Sequence, residues 1–280
     1  MNPGTTDLRE VLAEPAMLVA PFVCDALQAK IAEAAGFRAV YMTGFGTAAV
    51  RGYPDLGLVT MSEMVDNVRR ISRAVRVPVI CDADTGYGNP LNVMRTVREY
   101  EDAGAAALHI EDQTWPKRCG FLAGKQVIPL PEMVAKVRAA CDARRSDGLL
   151  IIARTDALQP AGWDDAELRA RAYREAGADL IFVDGIVTVE DLDTYARRLA
   201  DLPLLYNGQL LAVPEVAKRG FRIMIHPATL AAAYAALRAA MNELHATGAI
   251  RAANDPTAFA DIIRLLGVPE ALATAQKYDA

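Results

Sequence analysis

The chain is predicted to be an α/β protein of the (β/α)8 barrel class, a TIM barrel. Three observations carry that prediction. Eight short β-branched or apolar runs recur along the chain, separated by longer amphipathic stretches. Two helix exits, "DAGAAAL" (102–108) and "EAGADLI" (175–181), are near copies: a helix end, a glycine turn, the next buried strand. Parallel strands need crossover helices, so repeated βα units numbering eight point to a closed barrel, with a doubly wound sheet as the alternative.

The strand candidates, in order, are 17–23 (MLVAPFV), 39–44 (AVYMTG), 77–84 (VPVICDAD), 107–112 (ALHIED), 149–155 (LLIIART), 180–185 (LIFVDG), 203–208 (PLLYNG) and 222–227 (RIMIHP). Among the intervening helices, "SEMVDNVRRISRAV" starts with a capping box, Thr60 as N-cap and Glu63 three residues on. Helix exits carry Gly36, Gly104, Gly177 and Gly220. After about residue 228 the pattern is helical to the end, more helix than closing a barrel requires. The 280 residues suit one barrel domain with a helical extension at about 228–280, the surplus packing on a neighbouring subunit.

Net charge is −5, so no broad basic field exists to hold nucleic acid or an anionic membrane, and an anionic ligand must be caught by a few local cations. The four cysteines, Cys24, Cys81, Cys119 and Cys141, are scattered without a CxxC pair, which excludes a zinc ribbon or disulfide scaffold and fits a reducing compartment. The N-terminal stretch is polar and no run of about 18 apolar residues occurs. A cytoplasmic protein with neither leader nor membrane span is expected.

Barrel sites form at the C-terminal ends of the strands, and those ends carry Thr43, Asp82, Asp84, Glu111, Asp112, Arg154, Asp156, Asp184, Asn207 and His226. Asp82 and Asp84, two apart on a strand, point the same way and repel unless a cation sits between them. Hard oxygen ligands suit Mg²⁺, with Glu111 joining through water; the competing reading is that both carboxylates cap a helix or bind loop amides. Arg154 either grips a substrate carboxylate or pairs internally with Asp156 or Asp184. "TGFGTA" (43–48) reads equally as a carboxylate cradle of backbone N–H groups and as a plain glycine turn; as a dinucleotide fingerprint it stands in the wrong context. His109 reads as a satisfied core residue. The segment 113–128, holding "KRCGF" (117–121), is long for a barrel loop and reads as a lid. Lys117 and Arg118 are expected to favour the Cys119 thiolate, and the thiol to move a proton once the lid closes.

"TGFG" (43–46), "PDLG" (54–57), "DADTGYGN" (82–89), "HIEDQTWPKRCG" (109–120), "GK" (124–125) and "IIARTDA" (151–157) together resemble the isocitrate lyase/phosphoenolpyruvate mutase superfamily, in order over roughly residues 10–235. "PKRCG" is similar to its carbon–carbon lyase branch, the methylisocitrate and dimethylmalate lyases. The resemblance implies a barrel with its eighth helix swapped between subunits of a dimer, usually within a tetramer. It implies a Mg²⁺ site (or Mn²⁺) at Asp82 and Asp84 with Asp55 and Glu111 outside them. It implies a carboxylate-binding segment Thr43–Gly44–Phe45, substrate ligands Arg154 and Asn207, and Cys119 as the catalytic cysteine with Lys117 and Gly120 in the gating loop. The implied reaction splits a 2-hydroxy dicarboxylate into a 2-oxo acid and a carbanion that Cys119 protonates, with Tyr41 a candidate to take the hydroxyl proton. Three departures bear on substrate: Phe121 stands for the usual histidine, Asp184 for glutamate, and Phe45 for a small residue. They point away from tricarboxylates towards a smaller or alkyl-substituted diacid. Oxaloacetate hydrolysis or decarboxylation, phosphonopyruvate-type or carboxyphosphonoenolpyruvate chemistry, and non-catalytic carboxylate binding are the alternatives.

Overall fold

The computed structural model describes residues 6–120, 122–251 and 256–278. In the first of its two compact units, through residue 228, eight parallel strands close into a barrel in sequence order. They are β1 (Leu18–Val23), β2 (Val40–Met42), β3 (Val79–Asp82), β4 (Ala107–Glu111), β5 (Leu150–Thr155), β6 (Leu180–Val183), β7 (Leu204–Asn207) and β8 (Ile223–His226). Each lies within its expected run, and β8 returns to pair with β1, Leu18 opposite Ile223. A short α1 (Leu8–Ala13) precedes the barrel. The crossovers hold α2 (Ala26–Ala34), α3 (Gly44–Val50), α4 (Met61–Ala74), α5 (Pro90–Ala103), α6 (Leu130–Ala143), α7 (Leu158–Glu175), α8 (Val189–Arg198) and α9 (Val213–Ala217).

Local chemistry explains where these elements begin and end. Thr60 and Glu63 form the expected capping box of α4, satisfying two N-terminal donors reciprocally. Gly36, Gly104, Gly177 and Gly220 all adopt positive φ at helix exits.

Strand alternation divides the core into two layers. Leu18, Ala20, Phe22, Tyr41, Ile80, Ala107, Ile152, Phe182, Leu205 and Ile225 fill the barrel. Val40, Met42, Cys81, Leu108, Ile110, Ile151, Ile181 and Met224 face the surrounding helices. Counting onward by twos from the inner set puts Asp82, His109, Glu111, Arg154, Asp184 and Asn207 inside, at the upper ends of their strands.

The second unit, Thr229–Ala280, is helical: α10 (Ala228–Thr247), α11 (Pro256–Leu265) and α12 (Val268–Gln276). No residue of α10 is buried, and Tyr234, Leu237 and Met241 are exposed. No helix among the described residues is long and apolar enough to cross a membrane.

Candidate active site

At the top of the barrel a cavity is lined by Phe22, Tyr41, Thr43, Phe45, Asp55, Asp82, Glu111, Lys117, Cys119, Gly120, Arg154, Asp184 and Asn207. Thirteen positions from seven strands or their following loops converge there. They include every site residue implied by the resemblance except Gly44 and Asp84, which adjoin it, and Phe121, which lies outside the described residues; the strand-end residues Asp112, Asp156 and His226 do not line it.

"TGFGTA" is neither a free turn nor a nucleotide loop. It opens α3, with Thr43 as N-cap accepting the Gly46 N–H at 3.2 Å. The Gly44 N–H donates to Asp82 Oδ2 at 3.1 Å. A Cβ on Gly44 would stand 2.5 Å from that oxygen, so any side chain there would push the Asp82 carboxylate from its place. The segment therefore grips the strand-three carboxylate directly.

Asp82 ends β3, but Asp84 lies beyond it, in the left-handed region at φ 46°. The expectation that both lie on one strand is corrected accordingly: a reversal of the backbone, costing on the order of 1–2 kcal/mol for a non-glycine residue, brings them together. Asp84 donates its N–H to Asp82 Oδ1 at 3.0 Å. Both carboxylates are buried. Burial, reinforced by Asp82 and Asp55 against the opposing charge of Lys117, pushes the Asp84 carboxyl up to about 6. Two adjacent hard-oxygen donors fit Mg²⁺, which typically takes one or two carboxylates and completes its shell with water and substrate. Among the described residues no group of three or more His, Cys, Asp or Glu forms a metal cage. Asp55 and Glu111, the expected outer pair, serve here as partners of cations.

Those cations are Lys117 and Arg154. The buried Lys117 ammonium sits 2.8 Å from Asp84 Oδ1 and pairs with Asp55. Burial opposes its charge, but Asp84, Glu111, Asp82 and Asp55 outweigh that and hold its pKa well above the ordinary value. Lys117 is thus turned to the carboxylates, and the Arg118 guanidinium bonds the Ala123 carbonyl at 3.2 Å. Arg154 is held by Asp156 through two bonds of 2.9 Å, by Asp184 at 3.1 Å and by Glu111 at 3.2 Å, with its guanidinium 5.0 Å over the Phe182 ring. The internal ion pair considered for Arg154 is therefore formed. These bonds use Nε and Nη2.

Sequence reasoning missed three groups. Lys125, from the "GK" of the loop, has a wholly buried side chain and bonds Asp156 at 2.8 Å and Asp184 at 3.0 Å. Gln113 joins Glu111 to the cysteine loop. His109 is a core residue as expected, but its Nε2 lies 2.7 Å from the Tyr41 hydroxyl and 3.6 Å from Asp82, while its buried Nδ1 has no hydrogen-bond partner among the described residues. Burial pulls His109 down to about 4, so the ring is neutral, and pushes the Tyr41 phenol well above its ordinary value. Only the spacing of His109 from Glu111 on an inward face hinted at this cluster.

The cysteine loop lies over the cavity. Cys119 is 7 % exposed, and its N–H donates to the Asp55 carbonyl at 3.1 Å. At Gly120 a Cβ would lie 2.7 Å from Arg154 Nη2 and closer still to Asp184 Oδ2. No side chain fits there with the loop in place. Asn207 Oδ1 is buried without a hydrogen-bond partner among the described residues, an acceptor held ready for a ligand.

The chain is similar to proteins of known activity. Residues 8–245 match the phosphoenolpyruvate phosphomutase family model. A 2,3-dimethylmalate lyase of Eubacterium barkeri is 45 % identical over 79 % of this chain and 78 % of its own length. A 2-methylisocitrate lyase of Aeropyrum pernix is 45 % identical over 81 % and 75 %. Among solved structures, oxaloacetate acetylhydrolase bound to the inhibitor 3,3-difluorooxalacetate superposes with a TM-score of 0.91 at 38 % identity, covering 98 % of this chain and 97 % of that one. Phosphonopyruvate hydrolase in complex with oxalate and Mg²⁺ gives 0.87 at 31 %, covering 97 % and 98 %. Matched by one family across most of its length, and 45 % identical to lyases over about four-fifths of it, the chain belongs to the phosphoenolpyruvate mutase/isocitrate lyase superfamily and is a carbon–carbon lyase of it.

Proposed function

We propose that the enzyme cleaves a small 2-hydroxy dicarboxylate of the alkylmalate kind, with Mg²⁺, to a 2-oxo acid and a carboxylate. The observation carrying this is the lining of the site, where two phenylalanines stand beside the charged groups. The cavity is about 30 Å³, room for on the order of two water molecules, and Phe22 and Phe45 bound it. An organic acid of any size enters only when the cysteine loop moves, and the apolar Phe22 and Phe45 in the lining then disfavour a third carboxylate. Similarity to 2,3-dimethylmalate lyase supports the same choice.

Asp82 and Asp84 would hold the metal, and bound Mg²⁺ supplies Lewis-acid stabilisation of the substrate's hydroxyl oxygen. The N-terminus of α3 and the Nη1 edge of Arg154 orient the carboxylates, and Asn207 Oδ1 accepts from the hydroxyl. The hydroxyl proton passes to water admitted with the substrate, the carbon–carbon bond breaks, and its electron pair passes to the carbon beside the second carboxylate. The Cys119 thiol delivers a proton to that carbon, completing the carboxylate product, and the other fragment leaves as the 2-oxo acid. Tyr41, held as a phenol beside His109, acts as a donor that steadies the developing charge rather than as a ready base. Lys117 stays protonated beside the carboxylates and serves as the loop's charged contact.

The assay is 2-oxo acid release, with Mg²⁺ and with EDTA, from 2-alkylmalates, 2,3-dimethylmalate, methylisocitrate and oxaloacetate. Metal-dependent cleavage with an alkylmalate or dimethylmalate as best substrate is expected; methylisocitrate as best substrate would sink the reading. Oxaloacetate hydrolysis is the second reading. It is favoured by the small cavity and the likeness to oxaloacetate acetylhydrolase, and acetate plus oxalate from oxaloacetate alone would establish it.

Metal affinity should depend on pH through Asp84. Its carboxyl protonates below about 6, and that proton competes with Mg²⁺, so affinity should fall about tenfold per pH unit below that point and level off above it. Calorimetric titration between pH 5 and 7.5 tests this; a flat profile would remove Asp84 from the metal site. In the same reading the exposed apolar faces of α10 and α11, Tyr234, Leu237, Met241 and Phe259 among them, are covered by a second copy in a homo-oligomer.

A further inference from the structure

We propose that Gln113 is the latch of the cysteine loop: a positioning residue whose side-chain amide holds the peptide beside Cys119 and ties it to the Glu111 carboxyl. The proposal rests on reading the loop as the gate of this site, but not on which bond the enzyme breaks.

Gln113 stands at the root of the loop, where it forms an isolated antiparallel bridge with Val127. Its side chain is buried, with the residue 2 % exposed. Oε1 accepts the N–H of Arg118 at 3.0 Å. Nε2 donates to the carbonyl of the same residue at 2.8 Å and to Glu111 Oε1 at 2.9 Å. The three bonds fix the amide's orientation, because a flipped amide would set donor against donor and acceptor against acceptor. The amide thus pairs with Arg118 as a neighbouring strand would. Arg118 is flanked by the two groups that touch the site: Lys117, paired with Asp84, and Cys119, whose N–H reaches the Asp55 carbonyl.

Both Nε2 hydrogens are used, one on the loop and one on Glu111. Glu111 in turn touches Arg154, 3.2 Å away. Closure of the loop and placement of the central guanidinium therefore share one amide. Glutamate in its place would keep the acceptor but lose both donations and set a second carboxylate against Glu111. Methionine would keep the volume and lose all three bonds.

The test follows Cys119 alkylation by iodoacetamide and tryptic cleavage after Lys117 and Arg118, on the full-length enzyme without substrate. Cys119→Ala supplies the background from the other three cysteines. Gln113→Ala and Gln113→Met are both expected to speed alkylation and cleavage by about tenfold or more, the scale of losing two loop hydrogen bonds, with melting temperature little changed. If Gln113→Met behaves as wild type while Gln113→Ala does not, the residue is packing and the proposal falls. It falls equally if neither variant changes the rates by more than about twofold, or if neither variant folds. Because these readouts need no turnover, a failed latch leaves the substrate assignment standing, and an enzyme inactive on the whole panel leaves the latch testable.

Discussion

Replacing Cys119 with alanine is expected to lower 2-oxo acid release by about 10²–10⁴-fold, the range for removing a positioned proton donor, while Mg²⁺ affinity stays within about twofold. The thiol is in the cavity wall and nearly closed off from solvent, so no bulk acid can stand in for it while the loop is down. Its backbone is fixed on both sides, by the Asp55 carbonyl at its own N–H and by Gln113 at the preceding residue. The metal pair is contacted by Lys117, two residues away, and that contact survives the substitution. Serine should recover little, since a hydroxyl is a far weaker acid than a thiol at the same place. The experiment is steady-state kinetics on the best substrate from the panel, with metal affinity measured in parallel. Undiminished turnover would show that Cys119 does not protonate the leaving carbanion and would move oxaloacetate hydrolysis ahead.

Much of this arrangement was legible from the residues alone, because a barrel obeys a period of two. Once β4 is placed, His109 and Glu111 must face inward and Ile110 outward; once β5 is placed, Ile152 and Arg154 must do the same. That rule brought together Asp82, Glu111, Arg154, Asp184 and Asn207 without knowledge of distance. It failed where the chain leaves the strand. Asp84 reaches its place through a left-handed residue, not through the alternation of β3, and Thr43 spends its hydroxyl on capping α3. Pairing between distant segments was also hidden. Lys117 and Asp55 lie 62 residues apart, and Lys125 and Asp184 lie 59 apart; nothing in local sequence says which of several carboxylates a lysine will choose. Sequence neighbours do not decide the pairing, because a flexible ammonium goes to the deepest negative potential within reach. Here that potential is the buried acid cluster.

Beneath the site, Asp112→Ala is expected to destabilise the fold by about 3 kcal/mol, the lower end of the range for breaking a buried ion pair. Asp112 faces outward from the end of β4 and is wholly buried. Its carboxylate accepts from the Tyr173 hydroxyl at 2.7 Å, the Thr155 hydroxyl at 2.8 Å, the Asp156 N–H at 2.9 Å and Arg169 at 3.2 Å. Removing it strands a buried backbone donor and two hydroxyls, each costing about 1–3 kcal/mol if nothing replaces the bond. Arg169 keeps Asp165 and the Ile128 carbonyl as partners, which holds the loss near the lower end. Urea unfolding of wild type and variant measures it, and a loss below about 1 kcal/mol would show that the surrounding groups re-pair. The consequence for activity runs through Asp156, the residue that holds Arg154 with two bonds and Lys125 with a third. Freed of its backbone anchor, Asp156 can let the guanidinium drift, and the variant that remains folded should lose turnover. Cys119 alkylation should keep its wild-type rate, because the latch at Gln113 is intact. Loss of turnover with unchanged alkylation would separate the two supports of the site: one beneath it that sets the cation, and one above it that holds the acid.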